Sequence, residues 1–122
     1  MQFPRIYADD QGETHIGVCE VPEHEARVGP PPSPVGQMTE TEGVSTLAIF
    51  SAPAGTEVPP HNAPQPYIVI VLAGEGEVET SDGTTLRLGP GGVIYCDDLS
   101  GKGHLTRSIT DIRIAFINRA GP

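Results

Sequence analysis

The groups in this chain best suited to proton chemistry are its four histidines, its three tyrosines and the adjacent aspartates Asp97 and Asp98. Histidine titrates near neutrality and can act as acid, base or metal ligand, while tyrosine can donate to a developing oxyanion. Two stretches are the most particular: His61-Asn62-Ala63-Pro64-Gln65-Pro66-Tyr67, and Asp97-Asp98-Leu99-Ser100-Gly101-Lys102-Gly103-His104. His24 lies between Glu23 and Glu25 and reads as a solvated surface residue. Cys19 and Cys96 are far apart, with no Cys-x-x-Cys or Cys/His metal spacing, and read as two free thiols.

Composition limits what can hold these groups. A chain of 122 residues is enough for one compact domain and too short for two. With 15 glycines and 13 prolines, it suits many short strands joined by turns better than a helical bundle. The net charge of −9 sets 16 acidic residues against seven basic ones, and Lys102 is the only lysine. So acidic a surface repels phosphate backbones and anionic membranes, which argues against nucleic-acid or membrane partners. No apolar run approaches the ~20 residues needed to span a bilayer. The N-terminus lacks the charged-then-apolar pattern of a secretion signal, so the expectation is a soluble cytoplasmic protein.

The elements that must position the candidates read as strands. Val44-Ser45-Thr46-Leu47-Ala48-Ile49-Phe50 ends at Pro53-Ala54-Gly55, and Tyr67-Ile68-Val69-Ile70-Val71-Leu72 is a β-branched run expected to be buried on both faces. Gly76–Thr80 and Thr84–Leu88 flank Asp82-Gly83, a strong hairpin signal because glycine tolerates the positive φ of such turns. Glu77 and Glu79 can share a solvent face with Arg87 across that hairpin. Val93–Cys96, His104–Ser108 and Asp111–Ile117 complete the predicted set. Residues 1–28 read as an arm with one or two short strands. Gly29-Pro30-Pro31-Pro32-Ser33-Pro34 reads as an extended connector across the outside of the body. One domain is expected, with residues 1–43 as arm and proline-rich connector and 44–122 as a closed barrel or jelly roll.

On these residues the chain resembles the cupin superfamily. Its first motif, G-x5-H-x-H-x3/4-E-x6-G, is met in frame by Gly55, His61, Tyr67 and Gly74. Ala63 stands in place of the second histidine, and Tyr67 in place of the glutamate. Its second motif, G-x5-P-x-G-x2-H-x3-N, is met more loosely by Gly92, Gly101 and His104, one residue longer, with Leu99 for proline and Ser108 for asparagine. The resemblance implies an all-β, cupin-type β-barrel (double-stranded β-helix or jelly roll) with an N-terminal extended arm.

It also implies that His61 and His104 point into the barrel. Alternation puts Tyr67, Val69 and Val71 on the same inward face, with Ala63 making room. Two of the four usual cupin metal positions are lost, and two imidazoles rarely hold a divalent ion tightly. The expected activity is therefore non-redox acid–base chemistry on a small organic substrate by an isomerase, lyase or cyclase without a tightly bound metal. His61 or His104 moves the proton and Tyr67 polarises the substrate. Asp97, or its neighbour Asp98, sets a histidine tautomer or stabilises a cationic intermediate. Gln65, Val69, Val71, His15 and Lys102 are the expected substrate contacts. No cofactor is expected. The alternatives are a dioxygenase-like cupin holding a divalent transition metal on His61 and His104 plus unorthodox ligands (Tyr67, Gln65 or His15), or a non-catalytic ligand-binding cupin. A homodimer formed through an outer sheet face carrying Ile68, Ile70 and Leu72 is expected as well.

Overall fold

The computed structural model describes residues 1–120, so the last two positions of the expected 44–122 core lie outside it. Its strands are β1 (Gln2–Ala8), β2 (Thr14–Glu20), β3 (Glu23–Ala26), β4 (Gly36–Thr39), β5 (Val44–Ala52), β6 (Glu57–His61), β7 (Tyr67–Ala73), β8 (Gly76–Thr80), β9 (Thr85–Leu88), β10 (Val93–Cys96), β11 (His104–Ser108) and β12 (Ile112–Arg119). A six-stranded sheet runs β2-β1-β10-β7-β12-β5 and faces a four-stranded sheet, β6-β11-β8-β9. Of the two predicted all-β architectures, the jelly roll is the one formed. The hydrogen bonding does not run continuously around a closed barrel.

The strand predictions from Val44 onward match these elements to within two residues at each end. The β8–β9 turn follows its sequence signal: Gly83 takes φ +86°, and Asp82 Oδ1 accepts from the Thr84 N–H at 3.0 Å. Three expectations need correcting. The β7 run is not covered on both faces, since Tyr67 and Val71 are buried while Leu72 is exposed. Glu77 does sit opposite Arg87 in register, yet both Glu77 and Glu79 bond Arg107 of β11, at 2.8 and 3.0 Å. The proline-rich segment, finally, is the tip of the β3–β4 hairpin rather than a strap along the body, because Glu23–Ala26 pairs antiparallel with Gly36–Thr39.

The N-terminal strands are more integrated than an arm implies. β1 pairs parallel with β10, setting Arg5 opposite Tyr95 and Ile6 opposite Cys96, and β2 pairs antiparallel with β1. Ile6 thereby enters the core formed with Ala63, Tyr67, Val78, Ile94 and Cys96. Fully burying a side chain of this size contributes roughly 1.5–3 kcal/mol, which ties the first strand to the core. β6 also escaped the sequence reading, because Pro59 and Pro60 argue against a central strand. They are tolerated because β6 is an edge strand.

Candidate functional site

The cavity between the two sheets has a volume of about 410 Å³, within the usual range for small-molecule sites. Its walls alternate as the strands predict. β7 contributes Tyr67, Val69 and Val71, and β12 contributes Ile112, Ile114 and Phe116. His61 and His104 both reach it, from the end of β6 and the start of β11.

These two histidines are register partners across β6–β11, and their ring centroids lie 4.4 Å apart. The register then slips, so that Thr106 faces Val58 and one extra residue of β6 is accommodated over Pro59 and Pro60. Such irregularities re-aim side chains beside functional sites. The Pro59 carbonyl at this point lies 2.9 Å from His61 Nδ1. A carbonyl only accepts, so Nδ1 carries the proton and Nε2 is left as the exchanging nitrogen. No hydrogen-bond partner for that Nε2 occurs among the described residues.

His104 is almost wholly enclosed and is bonded at both ends. Its Nδ1 lies 2.6 Å from Asp98 Oδ2, and its Nε2 lies 3.0 Å from the Tyr67 hydroxyl. Burial, chiefly, holds the Tyr67 phenol well above its ordinary value, so the hydroxyl keeps its proton and donates to Nε2. His104 Nδ1–H then donates to the Asp98 carboxylate. The result is a directed chain, Tyr67 to His104 to Asp98, with the phenol stacked on Phe116 at 4.4 Å. Asp98 has no exposed surface and its Oδ1 has no partner, so His104 alone answers the demand of that carboxylate.

The other predicted contacts fare unevenly. Val69 and Val71 line the cavity as expected. Asp97 does not reach it: on the outer side of the sheet its carboxylate binds Arg5 at 2.6 Å and Arg119 at 3.2 Å. Strand alternation explains the difference, since Ile94 and Cys96 point inward and the next inward position is Asp98. That two-residue count was available in the sequence and identifies the correct aspartate. His15 is also off the site, held at the surface between Asp9 (2.7 Å) and Asp82 (2.9 Å). Lys102 bonds Glu13 at 2.7 Å, and Gln65 turns to the Ser45 hydroxyl at 3.3 Å; neither lines the cavity. Cys96, read only as a free thiol, is free and also lines the cavity, where burial pushes it up to about 12.

No protein-family model matches the chain, and no curated protein sequence matches it either. Solved structures do match its fold. A cupin-superfamily protein from Desulfitobacterium hafniense aligns with TM-score 0.54 at 14% identity, over 80% of this chain and 77% of that one. A cupin domain from Bordetella pertussis aligns with TM-score 0.50 at 19% identity, over 86% and 100%. A Thermotoga maritima protein described as a predicted oxalate decarboxylase gives 0.50 at 19%, over 97% and 93%. At such identities the likeness concerns the fold, and the chain has the cupin fold.

The metal that many cupins carry does not fit the residues present. Ala63 offers no donor where the second histidine would stand, and the Tyr67 proton is held by burial. His104 has both ring nitrogens committed to Asp98 and Tyr67, leaving His61 Nε2 as the one free imidazole nitrogen in the cavity. Among the described residues no three His, Cys, Asp or Glu side chains converge as a ligand group.

Proposed function

On this cupin fold, we propose a small-molecule enzyme that moves protons without a tightly bound metal, as an isomerase, lyase or ring-forming cyclase does. The observation that carries the proposal is the Tyr67–His104–Asp98 chain beside a His61 whose Nε2 is uncommitted. His61 takes a proton from the substrate. The Tyr67 hydroxyl turns from His104 Nε2 to donate to the oxygen on which charge collects, keeping its proton, and His61 returns the proton it took to the substrate, so that both side chains end as they began. Asp98 holds the His104 ring in the orientation and tautomer that this needs, as a positioning residue. Such proton transfer contributes typically 10²–10⁴-fold in rate. A largely apolar enclosure strengthens every polar contact made inside it.

The body of the protein presents an apolar outer face as well. Leu47, Ile49 and Leu72 are each about half exposed or more on the six-stranded sheet, and Ile117, Ile68 and Tyr95 continue the Leu47 row in register. A second copy packed on this face makes the functional unit a homodimer, because monomers seldom leave so broad an apolar patch in water. No helix long and apolar enough to cross a membrane occurs among the described residues.

The test is deuterium incorporation from D2O into a panel of enolisable ketones and esters, followed by NMR. Wild type is compared with His61→Ala and Tyr67→Phe, before and after chelator treatment. Exchange by chelated wild type that is lost in both variants is the expected result. Exchange that vanishes with chelation and returns with iron, nickel, manganese or zinc overturns the reading in favour of a metal-dependent cupin. Saturable binding with no exchange overturns it in favour of a ligand carrier.

A further inference from the structure

We infer that the cavity takes an uncharged, largely apolar molecule carrying a single hydrogen-bonding end, and that carboxylates, phosphates and ammonium compounds are not its substrates. The inference rests on the reading of this cavity as the reacting site and narrows the class of compound that enters it.

An anionic ligand buried in the cavity needs a cation to replace its water, since an unpaired charge is expelled from an apolar enclosure. Only one lysine or arginine borders it, Arg107, whose Nη1 and Nη2 already hold Glu77 at 2.8 Å and Glu79 at 3.0 Å, and His61 carries no positive charge in the state that takes a proton from the substrate. Arg5 and Arg119 are bound to Asp97 behind the sheet, and Lys102 is bound to Glu13. Arg113 reaches the Ser51 hydroxyl, Arg27 bonds the Ser33 carbonyl on the hairpin, and Arg87 is exposed on β9. These seven residues are all the lysine and arginine in the chain. An overall charge of −9 discourages anions further.

A cationic ligand fares no better. Glu77 is the acidic residue lining the wall, and its carboxylate is spent on Arg107. Asp98 lies behind His104 with no exposed surface, out of a ligand's reach. Several hydroxyls that line the cavity are occupied too, since Thr56 and Ser108 both donate to the Pro53 carbonyl. Polar capacity is thus concentrated around His104, which His61 and the Tyr67 hydroxyl both approach, with the Thr106 hydroxyl two residues further along β11. The remaining walls include Phe50, Val69, Val71, Ile94, Ile114 and Phe116. The phenol of Tyr67 stacked on Phe116 presents flat surfaces, which favour a planar ring or conjugated system over a polyhydroxylated one.

The test uses binding alone, so its outcome is independent of turnover. Three probes of one shape are titrated near neutral pH: 2-naphthol (uncharged), 2-naphthoate (anionic) and 2-naphthylmethylammonium (cationic). The wild-type chain contains no tryptophan, so its naphthyl emission is read without indole background, and the variant that carries one is titrated by calorimetry. The expected result is 2-naphthol binding at least about tenfold more tightly than either charged analogue, as an unpaired buried charge requires. Ala48→Trp, which fills the cavity from the exposed edge strand β5, is expected to remove that binding. A melting curve and circular dichroism of the variant check that it folds, and 2-acetonaphthone displacing 2-naphthol from wild type gives an independent readout. Naphthoate or the ammonium binding as well as naphthol overturns the inference, as does undetectable naphthol binding at millimolar concentration. Naphthol binding untouched in folded Ala48→Trp and not displaced by the ketone also overturns it. If neutral probes bind and no proton exchange is seen in D2O, the acid–base reading fails while this inference stands.

Discussion

The Asp98 carboxylate lies 2.6 Å from His104 Nδ1, with neither side chain more than 1% exposed. The contact joins the loop after β10 to the first residue of β11. A second contact closes the same corner, as the Asp98 carbonyl accepts from the Ala63 N–H at 3.0 Å. The loop, the histidine strand and the His61 turn are therefore fixed together, and His104 Nδ1 is held by a single carboxylate oxygen.

Replacing Asp98 by asparagine or alanine should therefore affect stability and chemistry together. Leaving the buried His104 Nδ1–H without its acceptor costs about 1–3 kcal/mol, read as a lower denaturation midpoint at unchanged m-value. For Asp98→Asn, exchange in D2O is expected to fall by more than stability explains, with the ring free to adopt the other tautomer. Unchanged exchange in folded Asp98→Asn protein would sink the positioning role.

Tyr67→Phe keeps the ring stacked on Phe116 and removes only the hydroxyl. Stability is expected to fall by about 1–3 kcal/mol, the cost of leaving His104 Nε2 unpartnered. Turnover is expected to fall by roughly 10²-fold or more once the phenol no longer donates to the developing oxyanion. A variant that folds and exchanges like wild type assigns that donation to another group.

Gly103 explains how the two histidines come so close. It adopts φ +74°, and a Cβ placed there would meet the His61 carbonyl oxygen at 2.5 Å. Gly103→Ala must strain the backbone or push His61 away, a cost of about 1–3 kcal/mol by analogy with other strained positions. Thermal melting, with exchange measured at a temperature where the variant is fully folded, separates the two effects; the expected result is loss in both.

His15 ties the β1–β2 turn to the β8–β9 turn through Asp9 and Asp82, and those carboxylates, Asp9 foremost, raise its titration. A group raised on folding stabilises fully below its unfolded pKa and loses that contribution as pH rises through its folded one. Asp82 is lowered to about 2, first by its Thr80 hydrogen bond, so its own contribution is lost as pH falls toward that value. The melting-temperature gap between wild type and His15→Gln is thus expected to be widest from about pH 4 to 6.5 and to close above and below. A gap flat from pH 4 to 9 would be inconsistent with an ion-paired imidazolium, as would one that widens with alkali.

Lysine at the outer face tests the homodimer. Leu47 and Ile49 are 66% and 57% exposed in one copy. Sedimentation equilibrium is expected to give a dimer for wild type and a monomer for the Leu47→Lys, Ile49→Lys double variant, with cavity binding of neutral probes retained. A monomeric wild type at micromolar concentration would end the proposal.

Period-two patterning was the part of this protein legible from residue order. From Val44 onward, alternation, turn glycines and the Asp82-Gly83 signal located every strand but β6. The same alternation put Tyr67, Val69 and Val71 on one inward face with His61. These are local properties, set by backbone sterics and by which side of a pleated strand meets water. Tertiary structure decided what depended on distant pairing. The parallel pairing of β1 with β10 made the N-terminal segment part of a sheet, and no local signal in Gln2–Ala8 specifies a partner some ninety residues away. Alternation from Ile94 and Cys96 turns Asp98 inward, but what each carboxylate meets was decided by the fold: arginines from β1 and β12 for Asp97, and His104 for Asp98. His15 and Lys102, chemically plausible in the sequence, found carboxylates on neighbouring turns instead. A residue's chemistry follows from its type, whereas its role depends on which partners the folded chain brings within hydrogen-bonding distance.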